Sequence, residues 1–218
     1  FFTDVGKSSR TSKKTQRTTI SPAAQQLLNC NHCPLDRLQL NHPKMLPTGS
    51  DHPVFYFIGE APGKTEDEEG QQFIGKSGAL LRDKIPSKWT KKIRWNNSIR
   101  CRPPGNRTPE PLELACCQRL QTADIEQTKP QVVVGFGNIP LSLFLGSDRQ
   151  IGTWRGRRCP IRVGSHTCWY YPITHPSFIL RVMHDKKMGA SHLRCFERDL
   201  KRLFDDVSNG LPEPFVEP

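Results

Sequence analysis

Two groups of residues in this sequence can do chemistry. The first is sulfur. Cys30 and Cys33 form a CxxC pair in CNHCPLDR; Cys101, Cys116, Cys117, Cys159, Cys168 and Cys195 follow. A zinc ribbon needs a second CxxC pair, and the chain has none. One CxxC joined by two distant cysteines suits an iron–sulfur cluster held by four thiolates. Cys159, Cys168 and Cys195 are scattered and read as small buried apolar side chains. The second group is carboxylates. GEAPGKTEDEEGQQFIG, from Gly59 to Gly75, carries Glu60, Glu66, Asp67, Glu68 and Glu69 directly after the apolar run Val54 to Ile58. It opens like a phosphate loop, but the pattern GxxxxGK[ST] is absent.

The elements that must position these residues alternate between strand and helix. Residues 54–58 are expected to form a buried strand, followed by strands at 93–99, 132–134 and 169–173. Helices are expected from Ser21-Pro22 to Cys30 and over 77–85, 112–128, 137–145 and 190–207. In the last of these, Leu193, Phe196, Leu200, Leu203 and Phe204 form the buried stripe. This order predicts an α/β fold with a mostly parallel, four-stranded sheet. Sites in such sheets lie beyond the carboxyl ends of the strands. Gly59-Glu60, Asn97 and His175 all fall at such ends.

The chain has 218 residues, a net charge of +11 and a pI near 9.5. That balance favours an anionic partner, with nucleic acid first. No apolar run reaches membrane-spanning length and no secretory signal pattern is present. Eight cysteines without a secretory pattern point to an intracellular, reducing compartment. Residues 1–21 are expected to be a basic, disordered arm or linker, 22–207 the folded domain, and 208–218 a Pro-rich tail or linker. A chain that opens on Phe1 is expected to be a fragment or a processed product, with further domains of a larger polypeptide as partners.

Four segments, in order, resemble the family-4 uracil-DNA glycosylases, the iron–sulfur branch of their superfamily. They are CNHCPLDR, GEAPGKTEDEEGQQFIGKSGALL, NSIRCRPPGNRTPEP with its downstream cysteine, and THPSFILR; the likeness runs from about Cys30 to Phe204. It implies a three-layer α/β/α fold and a monomeric DNA-repair enzyme that flips deoxyuridine out of DNA and hydrolyses its N-glycosidic bond. It implies a [4Fe-4S] cluster, structural rather than redox-active, on Cys30, Cys33, Cys101 and Cys117. Cys116 is the competing fourth ligand.

The resemblance also assigns a site. Asn97 would accept from uracil N3–H and donate to O4, a pattern that cytosine does not match; Asn96 is its alternative. Phe73 would stack on the flipped base. The family usually has Pro before this Phe, where Gln72 stands here. His175 would donate to uracil O2 as negative charge develops there. Glu60 would stabilise the cationic sugar or orient the attacking water. Gly59 and Ala61 would contact uracil through their backbone, and Glu66 would exclude a methyl group at C5. Gly63, Gly75 and Gly78 would let the backbone turn closely around the base. Asp67, Glu68 and Glu69 are expected to form a solvated acidic edge. Ile179 and Leu180 would wedge into the DNA, with Arg181 gripping phosphate and Lys186 and Lys187 assisting; the other reading is that these aliphatics simply begin the next helix. The alternative is a uracil- or DNA-binding module without excision activity, within a larger DNA-processing polypeptide.

Overall fold

The computed structural model describes residues 28–146, 148–185 and 188–216. The basic arm, the first part of the helix expected from Ser21, and Lys186 and Lys187 lie outside them.

The apolar runs form the strands they predict. β1 is Thr48–Gly49, β2 Phe55–Gly59, β3 Ile93–Asn97, β4 Val132–Phe136, β5 Cys159–Val163 and β6 His166–Ile173. They make one sheet in the order β1-β3-β2-β4-β6-β5. The four inner strands are parallel, and they are the four expected. The two edges, β1 and β5, pair antiparallel and correct the expected strand number from four to six among the described residues. β1 has two residues, and β5 contains Pro160, which an edge strand tolerates.

The helices are α1 (Lys64–Glu69), α2 (Lys76–Asp83), α3 (Pro111–Thr128), α4 (Asn138–Leu145), α5 (Ile151–Trp154), α6 (Pro176–Val182) and α7 (Gly189–Ser208). Strand residues alternate between two faces, and the two cores follow that alternation. Phe55, Phe57, Trp95, Val134, Phe136 and Tyr171 pack with Leu81 of α2, Ile179 of α6 and the stripe of α7. Tyr56, Ile58, Val133 and Tyr170 pack on the other face with Ile125 of α3 and Leu141 of α4. This is the α/β/α arrangement.

The short helix α1 was hidden by its composition. α1, KTEDEE, is polar throughout, yet it starts after Gly63 and stops at Gly70, whose φ of 70° ends the helix in the left-handed region. α6 starts at Pro176, where a missing N–H is harmless. Residues 211–216 have no regular structure, but they are tied down. Trp169 Nε1 donates to the Pro212 carbonyl at 2.8 Å, and Arg162 Nη2 to that of Val216 at 3.1 Å. Among the described residues no helix is long and apolar enough to cross a membrane.

Candidate active site

The ends of β2, β3 and β6 and the loop after β2 surround a cleft of about 880 Å³. Glu60, Ala61, Glu66, Phe73, Asn97, His175 and Arg181 all line it. Gly59, at the end of β2, lies against two of these side chains, Asn97 and Phe73, and its missing side chain leaves room for them. A methyl group there would overlap Asn97 Oδ1 and lie 2.8 Å from Phe73 Cζ.

Asn97 ends β3 and is 4% exposed. Its Nδ2 donates to Gln72 Oε1 at 2.6 Å. Its backbone N–H donates to Asn96 Oδ1 at 2.9 Å, and Asn96 Nδ2 donates to the Tyr56 hydroxyl at 2.7 Å. Tyr56 in turn donates to Asp124 Oδ2 at 2.7 Å, and Arg94 closes the chain on Asp124. Asn96 is thus committed to the opposite face of the sheet, so the cleft is served by Asn97.

Phe73 has φ +56°, a left-handed conformation that is an outlier for a bulky residue. Such strain persists only where the surroundings over-determine it. Here Arg82 of α2 donates to the Phe73 carbonyl and to the Gln72 carbonyl, both at 3.2 Å, and stacks 4.1 Å over Trp95. Gly78 lies against the Phe73 backbone so closely that any side chain there would overlap the Phe73 carbonyl. The Phe73 ring packs on Trp95 and Phe136, at 5.3 and 6.0 Å between centroids.

His175 caps α6. Its Nδ1 accepts from the Ser177 N–H at 3.1 Å, with the Ser177 hydroxyl 2.7 Å away. An accepting Nδ1 leaves the neutral ring's proton on Nε2. Burial, with Arg181 adding repulsion, lowers the His175 pKa to about 4. The ring is therefore neutral at pH 7. This has a stability consequence with a definite sign. Between pH 6.5 and about 4 the unfolded chain binds a proton at His175 that the native protein does not. Stability holds above that window and falls by about 3 kcal/mol as pH drops through it. Denaturant midpoints of the wild type and His175→Gln over this range check the expectation; the variant lacks this component.

Glu60 sits in the cleft wall with Arg181 and Thr108. Burial raises its pKa, and the Arg181 charge and a hydrogen bond with Thr108 oppose the rise. Glu66 does something the sequence did not suggest. Its carboxylate accepts from Gly63 N–H at 3.1 Å and Gly75 N–H at 2.8 Å, stapling the two ends of the acidic loop. Asp67 corrects an expectation. It is 3% exposed rather than part of a solvated edge, and it binds His42 N–H at 3.2 Å. Glu68 and Glu69 are exposed, as expected.

The expected wedge is divided. Ile179 is fully buried in the core, so it is not available at the surface; Leu180 is partly buried. Arg181 is exposed and reaches Ser177 Oγ at 3.4 Å. Phe178 lines the cleft too, as do Arg155 and His192, which carried no signal in the sequence. Arg155 is held by a 2.6 Å ion pair to the buried Asp199 of α7. Thr108 and Ser177 lie inside segments that already carried the resemblance, NRTPEP and HPSF.

Cys33, Cys101, Cys116 and Cys117 share a small apolar lobe with Leu35 and Ile99, and Cys30 opens the adjoining helical turn. They come from the CxxC turn, the segment after β3, and α3. The Lys44 N–H donates to Cys101 Sγ at 3.3 Å, and the Cys33 and Cys116 thiols are hydrogen-bonded. Burial pushes the Cys116 thiol to about 11 and that of Cys117 to about 12. No three of His, Cys, Asp and Glu among the described residues converge as ligands of one metal ion. An all-sulfur set drawn from three separate segments fits a multi-iron cluster, in which each thiolate meets its own iron.

A mostly parallel sheet with a polar cleft at its carboxyl ends is the frame on which these residues meet. The chain belongs to the uracil DNA glycosylase superfamily, whose family model matches residues 46–201. Within it, the similarity is to the type-4 uracil-DNA glycosylases. The chain is 32% identical over 170 residues to the enzyme of that name from Thermotoga maritima, covering 77% of this chain and 86% of that one. It is 30% identical over 164 residues to that of Saccharolobus solfataricus, covering 72% and 75%. A DNA polymerase of Bacillus phage SP01 is 26% identical over 151 residues, 16% of that protein.

Proposed function

We propose that the protein is a uracil-DNA glycosylase that flips deoxyuridine into this cleft and hydrolyses its N-glycosidic bond. The observation that carries the reading is the convergence of Asn97, Phe73 and neutral His175 on one cleft at the strand ends. In the reaction the bond from C1′ to N1 breaks and its electron pair leaves with the base. Water adds to C1′ and gives up a proton, which offsets the charge on the departed base, and an abasic site remains.

Each residue then has a task. Phe73 stacks on the flipped base. Asn97 accepts from N3–H and donates to O4. Gly59 and Ala61 bring the backbone close to the base, while the Glu66 staple holds the loop in shape around it. His175 donates from Nε2 to the oxygen where negative charge grows, and a neutral donor suffices for this. Glu60 lies where a carboxylate offsets a cationic sugar or aligns water. Arg181 and Lys186 hold DNA phosphates, and Leu180 enters the gap. An iron–sulfur cluster on Cys30, Cys33, Cys101 and Cys117 would tie the CxxC turn to the sheet and α3, a structural contribution. The organisation is a domain over 22–207 flanked by an arm and a tail, acting as a monomer in a reducing intracellular compartment.

The test is an end-labelled oligonucleotide with one uracil, cleaved by alkali after incubation. Asn97→Ala is expected to lower product formation by about a hundredfold or more, with thymine and cytosine oligonucleotides as controls. The match to part of a phage DNA polymerase favours a second reading, a recognition module within a larger polypeptide. A folded, cluster-loaded wild type that yields no product would overturn the first reading and shift the weight to the second.

A further inference from the structure

An asparagine reads a base edge only when the correct end of its amide faces forward. In uracil the edge offers N3–H as donor and O4 as acceptor. In cytosine N3 accepts and the exocyclic amine donates. An amide turned by half a revolution therefore reads the wrong base.

Gln72 is fully buried. Its Nε2 donates to the Leu46 carbonyl at 3.4 Å, and its Oε1 accepts from Asn97 Nδ2 at 2.6 Å. The direction of this relay is forced. A backbone carbonyl can only accept, so the NH2 of Gln72 must face Leu46. The oxygen of Gln72 then faces Asn97, which must answer with its own NH2. Asn97 Oδ1 is left on the other side, against Gly59. Among the described residues neither the second N–H of Asn97 nor its oxygen is given a hydrogen bond, which leaves both for a ligand.

We propose that Gln72 is a positioning residue that fixes the amide of Asn97 in its uracil-reading orientation and so disfavours cytosine. The inference rests on the uracil-site reading of the cleft. Turning Asn97 would set its oxygen against the Gln72 oxygen. Turning both would set the Gln72 oxygen against the Leu46 carbonyl. In either case two acceptors meet in a buried place, which is unfavourable.

Gln72→Met keeps the length of the side chain and removes both polar ends. Gln72→Glu keeps the direction of the relay. When protonated, its O–H donates to Leu46 and its C=O accepts from Asn97; when ionised, it can only accept from Asn97. The experiment measures binding to oligonucleotides carrying one 2′-fluorinated deoxyuridine or deoxycytidine, which resist excision. Gln72→Met is expected to reduce the preference for uracil over cytosine by roughly tenfold, the worth of one buried hydrogen bond. Gln72→Leu carries the same expectation and serves if the Met variant does not fold. Gln72→Glu is expected to keep the preference within about twofold, even if its stability drops. A Met or Leu variant with the wild-type preference overturns the inference, as does a Glu variant that loses as much as Met. Excision from unmodified deoxyuridine by the wild type is scored separately. Its absence sinks the glycosylase reading, while the binding ratios still decide the role of Gln72.

Discussion

His175→Ala lowers uracil excision at pH 7 by about a hundred- to a thousandfold, the usual worth of one preorganised donor aimed at a developing oxyanion. Binding of uracil-containing DNA changes by only a few fold, because the hydrogen bond strengthens only as the base departs. The Ser177 N–H holds Nδ1 as an acceptor, and so places the ring proton on Nε2. No protonation event is needed before the reaction. With a pKa of about 4, the wild-type rate shows no His175 limb between pH 8 and pH 5. It departs only as the ring becomes charged near pH 4. Single-turnover rates across that range, for wild type and variant, check both statements. An inflection near pH 6.5 that disappears in the variant would contradict the neutral-imidazole mechanism.

Gly78→Ala has the opposite sign to helix propensity. Inside a helix, alanine in place of glycine normally adds about 0.5–1 kcal/mol of stability. At position 78 the new methyl would occupy the space of the Phe73 carbonyl, so the loop must move or the helix must. Phe73 is already at φ +56° and is held by both bonds from Arg82. The expected loss is about 3 kcal/mol or more, with excision falling alongside it as the aromatic platform shifts. Gly152 is the control. A Cβ there meets nothing within 4 Å, so Gly152→Ala is neutral or slightly stabilising. Denaturation midpoints of the two variants separate a packing effect from a propensity effect.

β2 and β4 were the most legible strands because a strand covered on both faces must be apolar nearly throughout, as FYFI and VVV are; β3, IRWNN, carried a weaker pattern. β1 and β5 were not legible, because an edge strand of two residues, or one holding a proline, carries no such run. Asn97 and His175 were legible from their place after strands and from the likeness of the segments around them. The part of Glu66 was not. Its partners, the Gly63 and Gly75 amides, lie three and nine residues away, and nothing in a run of acids says which one turns inward. Asp67 was misjudged for the same reason. Helical spacing alone separates the two buried acids of α1 from the two exposed ones, and six polar residues reveal no apolar face from which to count. Ile179 belonged to the core because Pro176 starts a helix, whose one-turn spacing carries that side chain onto the sheet.

The inner strand order β3-β2-β4-β6 has a kinetic corollary. Parallel neighbours need crossovers, so most sheet contacts join distant parts of the chain, and closing such loops is slow. The cleft takes Glu60 from one end of this span and His192 from the other. No local hairpin or helix pair contains enough of it to hold a base. Recovery of excision after dilution from denaturant should therefore follow the last tertiary phase, with no earlier burst, so that competence appears only when β6 has docked.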